Sequence, residues 1–287
     1  MNPIIYTFHI FGYELPLRWY GVLVALGIAV AAWLAEKEVQ RRGENPEHVW
    51  NALTYLLPIG LIGARLWYVV NATIGGNPYY LQNPAKIIAV WEGGLHIYGG
   101  FLFGALTLFW YVRKHGLDMW LFLDAIAPVT LIGQAVARPA NFINQELYGP
   151  PTSLPWGILI NRVQSRVGVY KDLAAYPLET TRFHPTFAYE MIWNFLSAGI
   201  LLWALRRWPE KFKPAAAFGW WLVLAGTGRA LIELFRPDQP LVAGTPITTS
   251  QLVSLLMALA GIGLLLLRSG RISLPGVKLP ETYKISR

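Results

Sequence analysis

Seven stretches of mostly apolar residues, at 19–36, 49–71, 95–112, 120–137, 186–205, 216–235 and 247–267, leave this chain few ways to fold. Each is close to the roughly 20 residues that a helix needs to cross the hydrocarbon of a bilayer. Charged residues make up only 14% of the chain, against about 25% in a soluble protein. Too little polar surface remains to cover a soluble globule. That excludes a soluble enzyme, a disordered chain and a disulfide-built secreted module, the last also because the chain has no cysteine. The expected fold class is an all-α integral membrane protein with seven transmembrane helices, forming one polytopic domain over residues 1–287.

The charges orient it. Connections after the first, third and fifth spans, together with the C-terminal tail, hold 14 of the 24 basic residues. Basic residues gather on the cytoplasmic side, so the N-terminus is expected outside and the C-terminus in the cytoplasm. In a membrane protein the net charge of +8 reflects these flanks and contact with anionic lipid, and no nucleic-acid partner is expected. Residues 1–17 contain neither Lys nor Arg, so no signal peptide is expected. Two outer segments are long, 72–94 and 138–185, and the second is long enough for a small extracytoplasmic head. The tail from Pro275 reads as a solvated basic end. No internal repeat is visible, which weighs against an inverted-repeat transporter.

Polar groups inside or beside apolar spans are costly and therefore informative. Arg229, Glu233 and Arg236 fall at i, i+4 and i+7 on one face of the sixth span. Glu233 is either a salt-bridge partner or part of a site. The richest segment follows the fourth span, where Arg138, Asn141, Asn144 and Glu146 lie within nine residues. Pro139 is expected to end or kink the helix there. An arginine fork suits a phosphate, so the natural ligand is a phospholipid headgroup. A third cluster runs from Trp91 and Glu92 through His96 and Tyr98 to Gly100 and Gly104. Its last two glycines make a small-xxx-small packing face. His96 and Tyr98 are either interfacial aromatics or proton-handling groups, and Tyr20 reads as an interfacial belt residue. No metal-ligand spacing and no phosphate loop appear, so neither metal nor cofactor is expected.

The run from Ala137 to Gly149, ARPANFINQELYG, resembles the G-R-x-G-N-F-x-N-x-E signature of bacterial prolipoprotein diacylglyceryl transferases. The likeness extends over nearly the whole chain. It takes in Arg18 to Gly21, Gly63 to Leu66, Gly93-Gly94 with Gly99-Gly100, His184-Pro185-Thr186 with Tyr189-Glu190, Arg229 through Asp238, and Ser250-Gln251. The resemblance implies a seven-helix enzyme of the bacterial plasma membrane with its active site toward the extracytoplasmic side. It would move the diacylglyceryl group of phosphatidylglycerol to the lipobox cysteine of a prolipoprotein signal peptide and release glycerol phosphate. Carried over residue by residue, Arg138 and Arg229 match the critical arginines. Asn141, Glu146, Glu233 and Arg236 match the polar shell, with Asn144 in the same run, and Tyr20 matches the first-helix tyrosine.

The chain departs from the pattern in four places. Tyr98 stands where the family has histidine, with His96 two residues earlier; Ala137 and Ala140 replace signature glycines; Ala225 replaces a tyrosine. Tyr98 is expected to orient substrate in the active site and His96 to face another way, with no residue assigned as the base. The departures also admit a second reading, a relative that binds phospholipid or lipoprotein without transfer.

Overall fold

The computed structural model describes the chain except residues 1, 11, 91, 92, 237–240 and 287, and the side chains of 10 and 13. Trp91, Glu92 and Asp238, singled out above, thus lie outside the described residues. The elements run β1 (Ile4–Ile10), β2 (Tyr13–Arg18), α1 (Trp19–Arg41), α2 (Glu47–Ile74), α3 (Tyr79–Gln82), α4 (Ile97–Lys114), α5 (Met119–Ala137), α6 (Pro139–Asn144), β3 (Ile158–Leu159), β4 (Arg182–Phe183), α7 (Thr186–Arg207), α8 (Ala216–Glu233) and α9 (Thr249–Arg268). Every apolar stretch is a helix. Five helical stretches are long and apolar enough to cross a membrane: α1, α2, α5 continued through α6, α7 and α9. α4 and α8 have 18 residues each, about 27 Å at the helical rise. Many large apolar side chains face outward, as a lipid solvent allows, and several charged ones are enclosed. Ile62, Phe101, Leu106, Ile200 and Leu259 are more than half exposed, while Arg65, Asp124, Glu190 and Glu233 are buried.

Two small antiparallel pairs accompany the helices, which the all-α expectation did not include. β1 and β2 pair Tyr6 with Leu17 and Phe8 with Leu15, and between them Thr7 with Pro16 and His9 with Glu14. Alternation therefore gives the hairpin one apolar face and one more polar face. Trp19 donates its amide to the Pro3 carbonyl at 3.0 Å, tying the hairpin to the start of α1.

The chain divides into two compact units, Met1–Ala35 with Leu123–Thr282, and Glu36–Phe122 with Tyr283–Arg287. In the second unit α2 and α4 pack through glycine. A Cβ on Gly99 would lie 2.2 Å from the Gly63 carbonyl oxygen, whereas one on Gly104 would meet only Leu56 at 3.9 Å. The close approach therefore runs through Gly63 and Gly99 and not through the expected Gly100–Gly104 face. Gly99→Ala is expected to cost about 1–3 kcal/mol by overpacking, and Gly104→Ala less than about 0.5 kcal/mol. Thermal unfolding in detergent micelles measures both, and equal effects would contradict this packing.

Arg65 is buried in this unit and is a structural clamp. It donates from Nε to the Ile87 carbonyl at 2.9 Å, from Nη1 to the Gly93 and Gly94 carbonyls, and from Nη2 to the Lys86 carbonyl. Both glycines have positive φ. At Gly94 a side chain would also strike Tyr68 and the guanidinium itself.

The tail is not a free end. Ser286 gives its hydroxyl and amide to the Glu44 carboxylate at 2.6 and 2.9 Å, and the Lys284 amide donates to Asp118 at 2.8 Å. Burial pushes the Glu44 carboxyl up, but the Ser286 and Asn45 donors outweigh it and hold the group below its ordinary value.

In the first unit a carboxylate caps a helix from outside. Asp124, fully buried in α5, accepts from the amides of Ala215 and Phe218 at 2.7 Å each. α8 has no side-chain cap of its own, and Ala215 before it is left-handed at φ 76°. Residues between α6 and α7 build a small core of Tyr148, Ile160, Tyr170 and Phe183. Arg166 is buried with it, its Nε on the Ile160 carbonyl at 2.8 Å and its guanidinium 4.4 Å from the Phe183 ring. Burial pulls that guanidinium below its ordinary value, and Tyr148 pulls the other way.

Candidate active site

The helix is interrupted before Pro139, as expected: α5 ends at Ala137 and a new short helix, α6, begins at Pro139. Arg138 keeps helical angles, φ −60° and ψ −32°, and Pro139 takes the first position of α6, where no amide donor is needed. The chain turns after Asn144, where Gln145 and Leu147 are both left-handed at φ 55°. That reversal carries Glu146 back beneath α6, where it accepts from Asn141 Nδ2 at 2.9 Å and Asn144 Nδ2 at 3.2 Å. Asn141 Oδ1 in turn accepts from Arg138 Nη1 at 3.4 Å.

Arg138 and Arg229 meet on one carboxylate, Glu190 in the second turn of α7. Arg138 Nη2 pairs with its Oε1, and Arg229 Nη1 lies 3.4 Å from its Oε2. Arg229 Nη2 pairs with Glu233 Oε2 at 2.9 Å, and its Nε donates to Ser250 Oγ at 3.1 Å. The Thr248 hydroxyl lies 3.4 Å from Glu233 Oε1 and forms a capping box with Gln251 at the start of α9. Of the residues predicted from sequence, Arg138, Asn141, Asn144, Glu146, Arg229 and Glu233 thus form one connected network.

Glycine positions Arg229. A Cβ on Gly228 would fall 2.0 Å from the indole nitrogen of Trp193, and one on Gly226 would fall 2.5 Å from the Ser254 carbonyl of α9. Trp193 itself donates to the Leu224 carbonyl at 2.9 Å, locking α7 to α8. The Arg138 and Arg229 side chains are 18% and 28% exposed, while those of Glu190 and Glu233 are 10% and 0%. The cations therefore face outward and the carboxylates stand behind them. Such a pair offers several unused N–H donors to an anion while its own charge is balanced from within.

The other predicted residues lie elsewhere. Arg236 follows α8, its amide 3.1 Å from the Glu233 carbonyl. Tyr20, in the first turn of α1, is half exposed. His96 and Tyr98 belong to the second unit, and their expected opposition is corrected. His96 is the N-cap of α4, not a residue within it; its Nδ1 accepts the Tyr98 amide at 3.4 Å, and the two rings lie 5.2 Å apart. Among the described residues no group of three His, Asp or Glu could hold a metal ion.

Sequence reasoning passed over three partners, Glu190, Thr248 and Ser250. Glu190 and Ser250 sat inside the resembling pieces without a role. The missed signal was charge arithmetic: two outward arginines in apolar helices require more than the one carboxylate of Glu233.

A family model described as prolipoprotein diacylglyceryl transferase matches residues 6–267. Proteins named phosphatidylglycerol–prolipoprotein diacylglyceryl transferase are similar throughout. That of Chloroflexus aggregans is 36% identical over 283 residues, covering 94% of this chain and 90% of its own. The Symbiobacterium thermophilum protein is 37% identical over 251 residues, covering 88% of each chain. The Enterococcus faecalis protein is 35% identical over 262 residues, covering 91% of this chain and 89% of its own.

Proposed function

The chain belongs to the prolipoprotein diacylglyceryl transferase family, and on that premise we propose how its residues carry out transfer. It is a membrane transferase of lipoprotein maturation. It moves the sn-1,2-diacylglyceryl group of phosphatidylglycerol to the lipobox cysteine thiol of a prolipoprotein and releases glycerol phosphate. The observation that carries the assignment of roles is the pair of guanidiniums joined through Glu190, each side chain more exposed than the carboxylate between them.

Attack of sulfur on the glyceryl carbon breaks the carbon–oxygen bond to phosphate and leaves a second negative charge there. Arg138 and Arg229 are the catalytic clamp for that charge, already in place before it develops. Asn141, Asn144 and Glu146 hold Arg138 from one side, and Glu233, Thr248 and Ser250 hold Arg229 from the other. Arg236 supports the end of α8. By the resemblance to the family, Tyr20 and His96 are assigned to substrate binding and Tyr98 to orienting substrate, standing where the family signature has histidine. Seven helices span the bacterial plasma membrane, with the N-terminus outside, the C-terminus in the cytoplasm, and residues 138–185 forming an extracytoplasmic head.

The purified protein, reconstituted with phosphatidylglycerol and a synthetic lipobox peptide, is expected to give the diacylglyceryl adduct by mass spectrometry. A peptide with serine in place of cysteine gives none. Lipid binding without any adduct, beside an active family enzyme, would instead mean a relative that binds and does not transfer.

A further inference from the structure

Transfer needs a thiolate, yet a cysteine thiol with an ordinary pKa of about 8.5 is mostly protonated at neutral pH. A group must take that proton. The carboxylates of the arginine network are poorly placed to do so. Glu190 holds one guanidinium on each oxygen, Glu233 holds Arg229 and Thr248, and Glu146 accepts two carboxamides.

A different pair stands beside them. His184 Nδ1 lies 3.0 Å from the Tyr189 hydroxyl, and Trp156 Nε1 donates to that same oxygen at 2.8 Å. Tyr189 immediately precedes Glu190 on α7. His184 is fixed by backbone bonds at both its ends: its carbonyl accepts from Gly149 at 2.8 Å, and its amide donates to the Pro150 carbonyl at 3.0 Å. Its ring packs 5.4 Å from Phe235, next to Arg236. Thr186 Oγ1 donates to the Leu147 carbonyl at 2.5 Å, drawing the same segment against the chain that carries Glu146. Both rings are partly exposed. An indole can only donate, so Trp156 occupies one lone pair of the phenol oxygen. With His184 as the Nε2–H tautomer, the phenol proton is directed at Nδ1 and the second lone pair stays open.

We propose that Tyr189 and His184 are the proton acceptor of this transferase, an inference that rests on the reaction assigned above. The thiol proton passes to the Tyr189 oxygen as the phenol proton passes to His184 Nδ1. The sulfur's electron pair forms the new carbon–sulfur bond. The electrons of the broken carbon–oxygen bond stay on the departing glycerol phosphate, which leaves as a dianion. The site ends with an imidazolium and one more phosphate charge than it began with, so charge balances, and His184 later returns its proton to water. Tyr189 is the residue that touches the thiol, His184 stores the proton and Trp156 aims the phenol.

A substrate that needs no base tests this. A lipobox peptide with selenocysteine in place of cysteine carries a selenol already ionised at neutral pH. Y189F is expected to lose about a hundredfold in transfer to the cysteine peptide and to recover to within a few fold of wild type with the selenocysteine peptide. H184Q keeps a hydrogen-bonding group against Tyr189 but cannot store the proton, and it should show the same loss and the same recovery. Equal losses with both peptides in variants that melt like wild type would overturn the relay, as would a wild-type rate for Y189F with cysteine. Failure of the wild-type protein on either peptide would count against the transferase reading itself, a separate result.

Discussion

Arg138→Ala is expected to lower the rate of diacylglyceryl transfer by about three orders of magnitude. Arg138 stands where three requirements meet. Its Nη2 holds Glu190, its Nη1 reaches Asn141, and its side chain remains partly exposed to meet a phosphate. Alanine removes the donors that face the charge formed as the carbon–oxygen bond breaks. It also leaves Glu190 with Arg229 alone and Asn141 without its cation. Most of the loss should fall in kcat, because that charge is greatest in the transition state. Arg138→Lys should recover little: an ammonium is a point charge and cannot reach Glu190, Asn141 and a phosphate together as a planar fork does. Initial rates of adduct formation across a phosphatidylglycerol titration measure both variants. Arg138→Ala retaining a tenth of wild-type kcat would end the clamp assignment.

Asp124→Ala is expected to destabilise the protein by about 3 kcal/mol without touching the reaction chemistry. Both oxygens of this fully buried carboxylate accept amides at the start of α8, at 2.7 Å each. Truncation strands both amides away from water, and each costs about 1–3 kcal/mol when unpaired. The negative charge that complements the α8 dipole is lost as well. Asp124→Asn keeps one acceptor and should fall roughly halfway. Thermal unfolding in micelles orders the three proteins. Surviving Asp124→Ala molecules should transfer at the wild-type rate per folded enzyme, since the cap lies at the end of α8 opposite Arg229. An Asp124→Ala protein as stable as wild type would show that α8 is capped by other means.

The helices were legible because bilayer thickness leaves one dominant signal, the length of an apolar run. Thr186–Arg207 and Thr249–Arg268 lie within about two residues of the stretches read from sequence. The first hairpin was not read, although Tyr6 and Phe8 alternate with Thr7 and His9 and Gly12 marks the turn. Four apolar side chains in a short segment look the same whether they begin a span or form a strand face. Arg138, Arg229 and Glu233 were readable from intramembrane charge and, with Asn141 and Glu146, from resemblance. Glu190 was not, because a single carboxylate one turn into a helix acquires meaning only when the helices bring two arginines to it. Gly99 over Gly104 was likewise undecidable from spacing. Both lie on α4, and only the placement of α2 distinguishes them.

The carboxylates behind the two arginines bear on turnover. Glycerol phosphate departs with more charge than the lipid brought in, and bare arginines would retain it, so each cycle would wait on product escape. Here each guanidinium keeps its carboxylate partner throughout, so its charge stays balanced as the product leaves and its hold on the departing dianion is weakened. Free phosphate and glycerol phosphate should accordingly be weak inhibitors, and the enzyme's preference for its lipid must come mainly from the chains and glycerol that the headgroup carries with it.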